Sequence, residues 1–480
     1  MRFLAPLAAV LVFPAIAFAQ KPLEYRVEYA RPKSLEIHIS LRVPGGADAP
    51  LTMVIPRTIP GGYAQRPYDP FVENVRAVSP AAVPLEVHRE EHGPRWQIGK
   101  TGDRLDRVEY DVNIARMERE IFAASDSSKI RDAYVGLLGY SIFAFLLGRE
   151  EQPIHLEVTG PSDWPVFSTL APQVPANLGS LTASAPDYYA LADSQIVMGP
   201  SLQLRRIVGS VPLFLAVYAE TEGDLFEEGS LARDALDKVI AYFGKAPFSH
   251  YTVQLELLRP VSERHQYGFS MEHLESGTFY FGIDGAVTSK SDSATREAQR
   301  FNYAHHMAHS WIPKHAYGVG YLPFEWEAAP LIETIWFNEG FARYAVIAAF
   351  AEAMPKEQGE SYRLRHLEAL RRIINEAPPF LRRMPLLDLS RAGSFLYSDD
   401  FRFGMNLFSR GALMAAQMDD RIRVRTQQKK SLRDALRSLV DWSEKNRRAF
   451  RVEELPVIFR DATGVDTRDI LDRWLQPLTD

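Results

Sequence analysis

The chain changes texture near residue 210, and that change limits the folds open to it. From Lys21 to Ile207 the hydrophobic period is close to two. Leu23–Tyr29 and Leu35–Val43 alternate and are rich in Val, Ile, Tyr and Leu. Such residues suit a pleated surface with one buried face. Leu51–Ile55, Leu85–His88, Val108–Ile114 and Ile154–Val158 continue the pattern, with Pro44-Gly45-Gly46 and Pro60-Gly61-Gly62 as punctuation. Short strands between turns predict a β-sandwich over residues 20–207.

Beyond residue 210 the period lengthens. Phe226–Phe243 has helical spacing, while Tyr251–Leu258 and Thr278–Gly282 read as strands. Ser293–Trp311 reads as a helix with Asp292 or Ser293 at its N-cap and Pro313 closing it. Ile335–Ala353 is a second helix. After Pro378-Pro379 the chain is mostly helical, with Arg402–Gln417, Ser431–Lys445 and Thr467–Trp474 as the clearest pieces. The expectation is an α+β multidomain chain divided near residues 207 and 380.

Composition excludes several chemistries. There is no cysteine, so disulfides, thiolate metal sites and thiol nucleophiles are out. Net charge is -6 and no basic arm stands out, which argues against a nucleic-acid partner. Arg421–Arg433 reads as the solvated face of a helix pair. Residues 1–19 read as an export signal: Arg2, the apolar stretch Leu4–Phe18, then Ala17-Phe18-Ala19 before Gln20. The mature protein is therefore expected in the periplasm or outside the cell, with no membrane span left after cleavage. The other long apolar run, Tyr134–Gly148, reads as a buried strand pair.

Four of twelve histidines fall within eleven residues, at His305, His306, His309 and His315. Two imidazoles four residues apart on a helix point the same way, so His305 and His309 can grip one metal ion. About thirty residues later Glu339 sits in the aromatic run Trp336-Phe337-Asn338-Glu339-Gly340-Phe341-Ala342. An unpaired carboxylate there is costly, and a divalent cation neutralises it. Two imidazoles and one carboxylate make a three-ligand zinc set with a fourth position open to water or substrate. Ligation by His306 and His309 is a second possible register.

The run Asn302–Lys314 followed by Trp336–Ala342 resembles the gluzincin superfamily of zinc peptidases, and within it the glycyl aminopeptidase family (metallopeptidase family sixty-one). Tyr267-Gly268-Phe269-Ser270-Met271-Glu272-His273 occupies the place of that family's substrate-side strand. Ser409-Arg410-Gly411-Ala412-Leu413 is similar to its following helix motif. A PDZ domain, common at the C-terminus of these enzymes, is not expected within these 480 residues. The resemblance implies an N-terminal β-sandwich (20–207), a thermolysin-like zinc-binding domain (208–380) and a C-terminal α-helical domain (381–480). It implies one Zn²⁺ per chain on His305, His309 and Glu339. It also implies that Glu272 meets a substrate's free amino group and that Gly268 lets a peptide backbone approach.

Two positions depart from an active peptidase. His306 stands where the family has the glutamate that takes a proton from the metal-bound water, help worth about 10²–10⁴ in rate. Phe408 stands where related enzymes carry a tyrosine that steadies the oxyanion, a donor worth about 10²–10³. Tyr397 and Tyr344 are the candidates to replace that hydroxyl. Three readings follow. One is an exported metallo-aminopeptidase with weak or altered hydrolysis. Another is a pseudopeptidase that binds peptide or protein partners through its zinc cleft. A zinc-stabilised interaction protein with a closed cleft is the third. Neither substrate side-chain preference nor oligomeric state is legible.

Overall fold

The structure, a computed structural model, describes residues 21–29, 34–123 and 126–478. The expected export signal, 1–19, lies outside them. The fold is α+β, with an all-sheet first part and helices gathered toward the C-terminus. No helix among the described residues is long and apolar enough to cross a membrane.

The first part holds three sheets. The largest has seven strands, with Leu23–Glu28 between Ile154–Thr159 (parallel) and Ile37–Asp48 (antiparallel). Its strands alternate buried and open, as in Leu23–Glu28, which explains why period two was visible. A four-stranded sheet joins Phe145–Leu146, Leu51–Val54, Arg95–Ile98 and Val87–Arg89. A five-stranded sheet is centred on Gln195–Met198 and Tyr134–Leu138. The apolar run is buried from Tyr134 to Leu146 and exposed at Leu147 and Gly148, and its strands do not pair with one another. Tyr134–Leu138 and Phe145–Leu146 enter different sheets, separated by the helical turn Gly139–Ile142. The expected strand Leu85–His88 is broken into Pro84–Leu85 and Val87–Arg89, which also join different sheets.

The second part is built on a five-stranded sheet in the order Gln203–Ile207, Leu213–Ala219, Tyr251–Leu258, Ser276–Gly282, Gly268–Glu272. Its three central strands run parallel. Gln203–Ile207 pairs with Leu213–Ala219, so this sheet starts ahead of residue 207. The edge strand Gly268–Glu272 lies antiparallel to Ser276–Gly282.

Helices cover this sheet. Leu225–Phe243 is capped by Asp224, which accepts from the Phe226 and Glu227 amides. Ser293–Ala308, called here the histidine helix, is capped by Asp292, which accepts from Thr295 N at 2.7 Å. It ends before the turn that carries Pro313. Ile335–Glu352, the glutamate helix, is buried nearly all round. It crosses Phe401–Arg425 where Gly340 meets Gly411 backbone to backbone. Lys356–Glu376 was not expected from the pattern, whereas Leu386–Leu396 falls in the stretch after Pro378-Pro379 expected to be mostly helical. Arg425 ends one helix and Leu432 starts the next, so the Arg421–Arg433 run straddles a helix pair as expected.

Candidate metal centre

The histidine helix delivers His305 and places His309 at its C-cap, still with helical backbone. Their Nε2 atoms lie 3.3 Å apart. The glutamate helix brings Glu339 Oε2 to 3.4 Å from His305 Nε2 and 3.6 Å from His309 Nε2. In a tetrahedral zinc site with bonds of about 2.0–2.2 Å, neighbouring ligand atoms are about 3.3–3.6 Å apart. The three observed edges fall in that range, so the donors fit a zinc ion pair by pair.

The turn after the histidine helix also orients a ligand. His309 Nδ1 donates to the Ile312 carbonyl at 2.8 Å, which leaves Nε2 free to bind a metal. His305 Nδ1 is buried without a partner.

Electrostatics agree with the donor set. Burial and the neighbouring His309 push His305 down to about 3, so it stays neutral, as a ligand must. Burial disfavours charge on His309, but the Glu272 and Glu339 carboxylates outweigh it and lift the ring to about 9. Burial would raise Glu339; His309 and the hydrogen bonds from both rings overcome this and hold it below the usual carboxylate range. Without a metal, then, a proton on His309 balances two buried carboxylates. A dication at the same point takes over that role.

Beside this trio lies a second one. Glu272, His306 and His309 offer ligand atoms within 4.8 Å of one another. His306 Nδ1 is 3.3 Å from Glu272 Oε2. Glu272 Oε1 is buried and unpartnered. Burial would raise this carboxyl, yet His309 and His306 hold it low, so it is ionised.

The remaining expected residues fall in different places. Gly268 is exposed at the far end of the edge strand, with open space around its Cα. Four residues of strand separate it from Glu272, about 13 Å. Phe408 is buried with its ring 4.7 Å from the Arg343 guanidinium. Tyr397 lies close enough to Glu339 that, after burial, the Glu339 charge is the largest influence raising its hydroxyl's pKa. Tyr344 is committed elsewhere: its hydroxyl donates to Asp419 at 2.7 Å and accepts from Arg363.

One part of the site had no sequence signal beyond a turn. The loop Arg57–Tyr63 reaches over from the first part of the chain. Gly61 adopts φ +94°, and a Cβ there would come within 2.9 Å of Glu272 Oε1. The Tyr63 hydroxyl accepts from Asn338 Nδ2 at 3.1 Å, next to Glu339. Lys314, five residues after His309, donates to the Pro60 carbonyl at 3.2 Å. The loop is tied down by Thr58 Oγ1 donating to the Glu325 carbonyl.

Comparisons with known proteins point the same way. Residues 24–200 match the Peptidase M61 N-terminal domain family. An aminopeptidase N family protein from Idiomarina loihiensis shares the fold at TM-score 0.81 and 17% identity, over 95% of this chain and 76% of that one. A zinc metallopeptidase of family M1 from Deinococcus radiodurans superposes at TM-score 0.55 and 15% identity, over 96% of this chain and 94% of its own. A glutamate-to-alanine variant of it, bound to a Tyr-Ser-Ala substrate, gives TM-score 0.54 at 17% identity, with the same shares covered. No curated protein sequence matches the chain. Residues 24–200 thus match the N-terminal domain of peptidase family sixty-one, and the chain as a whole shares the fold of these aminopeptidase N-type and M1 metallopeptidase structures.

Proposed function

We propose that this chain is an exported, zinc-dependent protein of glycyl aminopeptidase type that binds peptide amino termini and cleaves them weakly. The observation that carries this reading is the triangle of His305, His309 and Glu339, whose edges of 3.3, 3.4 and 3.6 Å suit one zinc ion. A bound zinc supplies a Lewis acid for a peptide carbonyl and acidifies its water. The protein's own groups do the rest. Glu272 offers the free Oε1 to a substrate's amino group while Oε2 is engaged by His306. His306, oriented by that contact, stands where a proton acceptor is needed. An imidazole can accept a proton, but beside a dication its charged form is disfavoured, which slows return of the proton to the leaving amine. Phe408 has no donor to offer an oxyanion. The Tyr397 hydroxyl, close to Glu339, is the candidate replacement.

A specific observation favours the second reading, a binding protein without turnover. Glu272 and His309 are buried, and the loop Arg57–Tyr63 is anchored over them. The two readings separate on one sample. Metal content and turnover of free-amine peptides are measured together. One zinc per chain with slow release of amino-terminal residues supports the enzyme. One zinc with no release supports the binder. A chain that takes up no zinc overturns both. Export is tested apart, by finding the mature amino terminus at Gln20 in the periplasmic or culture fraction.

A further inference from the structure

The glutamate helix carries an arginine, Arg343, that forms no ion pair among the described residues and whose Nε has no hydrogen-bond partner. Arg343 lies four residues after Glu339, one turn further along the same face. Its guanidinium sits between two rings, 5.1 Å from that of Phe301 and 4.7 Å from that of Phe408. Its Nε is sealed from solvent without a hydrogen-bond partner. Nearby arginines are treated differently: Arg300 reaches Asp234 and Glu297, and Arg363 reaches Asp420 and Tyr344. Ring faces attract a guanidinium but satisfy none of its five N–H donors. Burial pulls the Arg343 pKa down, against the pull of Tyr397 and Glu339. Arg343 is half-buried, and its terminal N–H groups, which pair with no carboxylate among the described residues, remain open to an incoming anion.

There is room for one. A cavity of about 1080 Å³ is lined by Arg343, Phe301, Tyr362, Arg365, His366 and Glu297, among others. Glu297 is already taken by Arg300 and by the Tyr362 hydroxyl at 3.0 Å. Phe301 lies one turn before His305 and Arg343 one turn after Glu339. The cavity therefore starts roughly 5–6 Å along each helix from a metal ligand. Its size suits a short peptide segment.

We infer that this cavity receives the part of a bound peptide that lies away from its amino terminus, and that Arg343 binds a carboxylate on it. The planar fork of a guanidinium matches a carboxylate in two parallel hydrogen bonds. Phe408 gains a role on this account, since the ring that cannot serve an oxyanion is the plate on which Arg343 rests. The inference depends on the peptide-binding reading above and names the class of peptide. The carboxylate comes either from the peptide's own C-terminus or from an acidic side chain.

The test uses the full chain loaded with zinc and three peptides of the same length. One is Gly-Phe-Ala with a free C-terminus, one is its amide, and one is Gly-Phe-Glu amide. Affinity is read by titration calorimetry, or as KM where cleavage occurs. The free acid, the glutamyl amide, or both are expected to bind about tenfold or more tighter than Gly-Phe-Ala amide. Which of them does so identifies the source of the carboxylate. Arg343→Gln is expected to erase the difference while zinc content stays at the parent level. Equal binding of all three peptides to the parent overturns the carboxylate site alone. A preference that survives Arg343→Gln overturns it too. Failure of any peptide to bind overturns this inference together with the peptide-binding reading. The comparison of acid with amide on the unaltered chain stands even if the variant does not fold.

Discussion

Gly340→Ala is expected to loosen the metal centre through the crossing of two helices. A Cβ on Gly340 would lie 2.4 Å from Gly411 Cα, 2.5 Å from its carbonyl carbon and 2.6 Å from Ala412 N. These are backbone atoms, so no side chain can swing aside. Ordinary contact starts at 3.4 Å. The glutamate helix and Phe401–Arg425 must therefore separate by about 1 Å, and overpacking of this kind costs about 1–3 kcal/mol. Alanine returns about 0.5–1 kcal/mol of helix propensity, which leaves a net loss of about 2 kcal/mol at the upper end. Glu339 is the adjacent residue, and metal–ligand distances tolerate only about 0.2 Å. Zinc affinity is expected to fall at least about tenfold. Urea unfolding of the metal-free protein measures the first effect, and competition with a chromophoric chelator measures the second. A Gly340→Ala protein as stable as the parent, or one destabilised with unaltered zinc affinity, would refute the reasoning.

Three further outcomes are expected. His305→Ala should abolish stoichiometric zinc binding while His306→Ala keeps it, as read by metal analysis after dialysis. The reverse result would move the ion to the trio of Glu272, His306 and His309. The Glu228 carboxyl is raised by burial to about 7, against hydrogen bonds from Tyr303 and Gln299. Its folded value thus exceeds the unfolded 4.5, so its contribution is fully present below pH 4.5 and is lost as pH rises through 7. Glu228→Gln should then add up to about 3 kcal/mol of stability at pH 8 relative to the parent and little at pH 4, measured by denaturant titration. His306→Glu combined with Phe408→Tyr should raise peptide turnover by about tenfold or more in a protein that still binds zinc. No gain would argue against the roles assigned to both positions.

Much of the architecture could be read from periodicity because burial in this protein follows simple periods. Strands such as Leu23–Glu28 bury every second residue, and Leu225–Phe243 buries one face. Of the two N-cap candidates for the histidine helix, Asp292 and Ser293, it is Asp292 that caps it. Where a segment is covered on all sides the period vanishes. Tyr134–Leu138 and Phe145–Leu146 could not be assigned to separate sheets for that reason. Lys356–Glu376 escaped notice because its surface is mostly polar and it buries few residues.

For the site, the types of three donors and the four-residue spacing of two of them belong to the sequence. A helix repeats every 3.6 residues, so His305 and His309 had to face alike. The absence of cysteine and the exchange at His306 are equally sequence facts. What only the folded chain decided is which groups share that space. The Arg57–Tyr63 loop, the contact of Glu272 with His306, and an arginine held between two phenylalanines join residues far apart along the chain. No local period encodes such meetings, because they arise where helices, sheet edge and loop happen to pack, and packing is a property of the whole core.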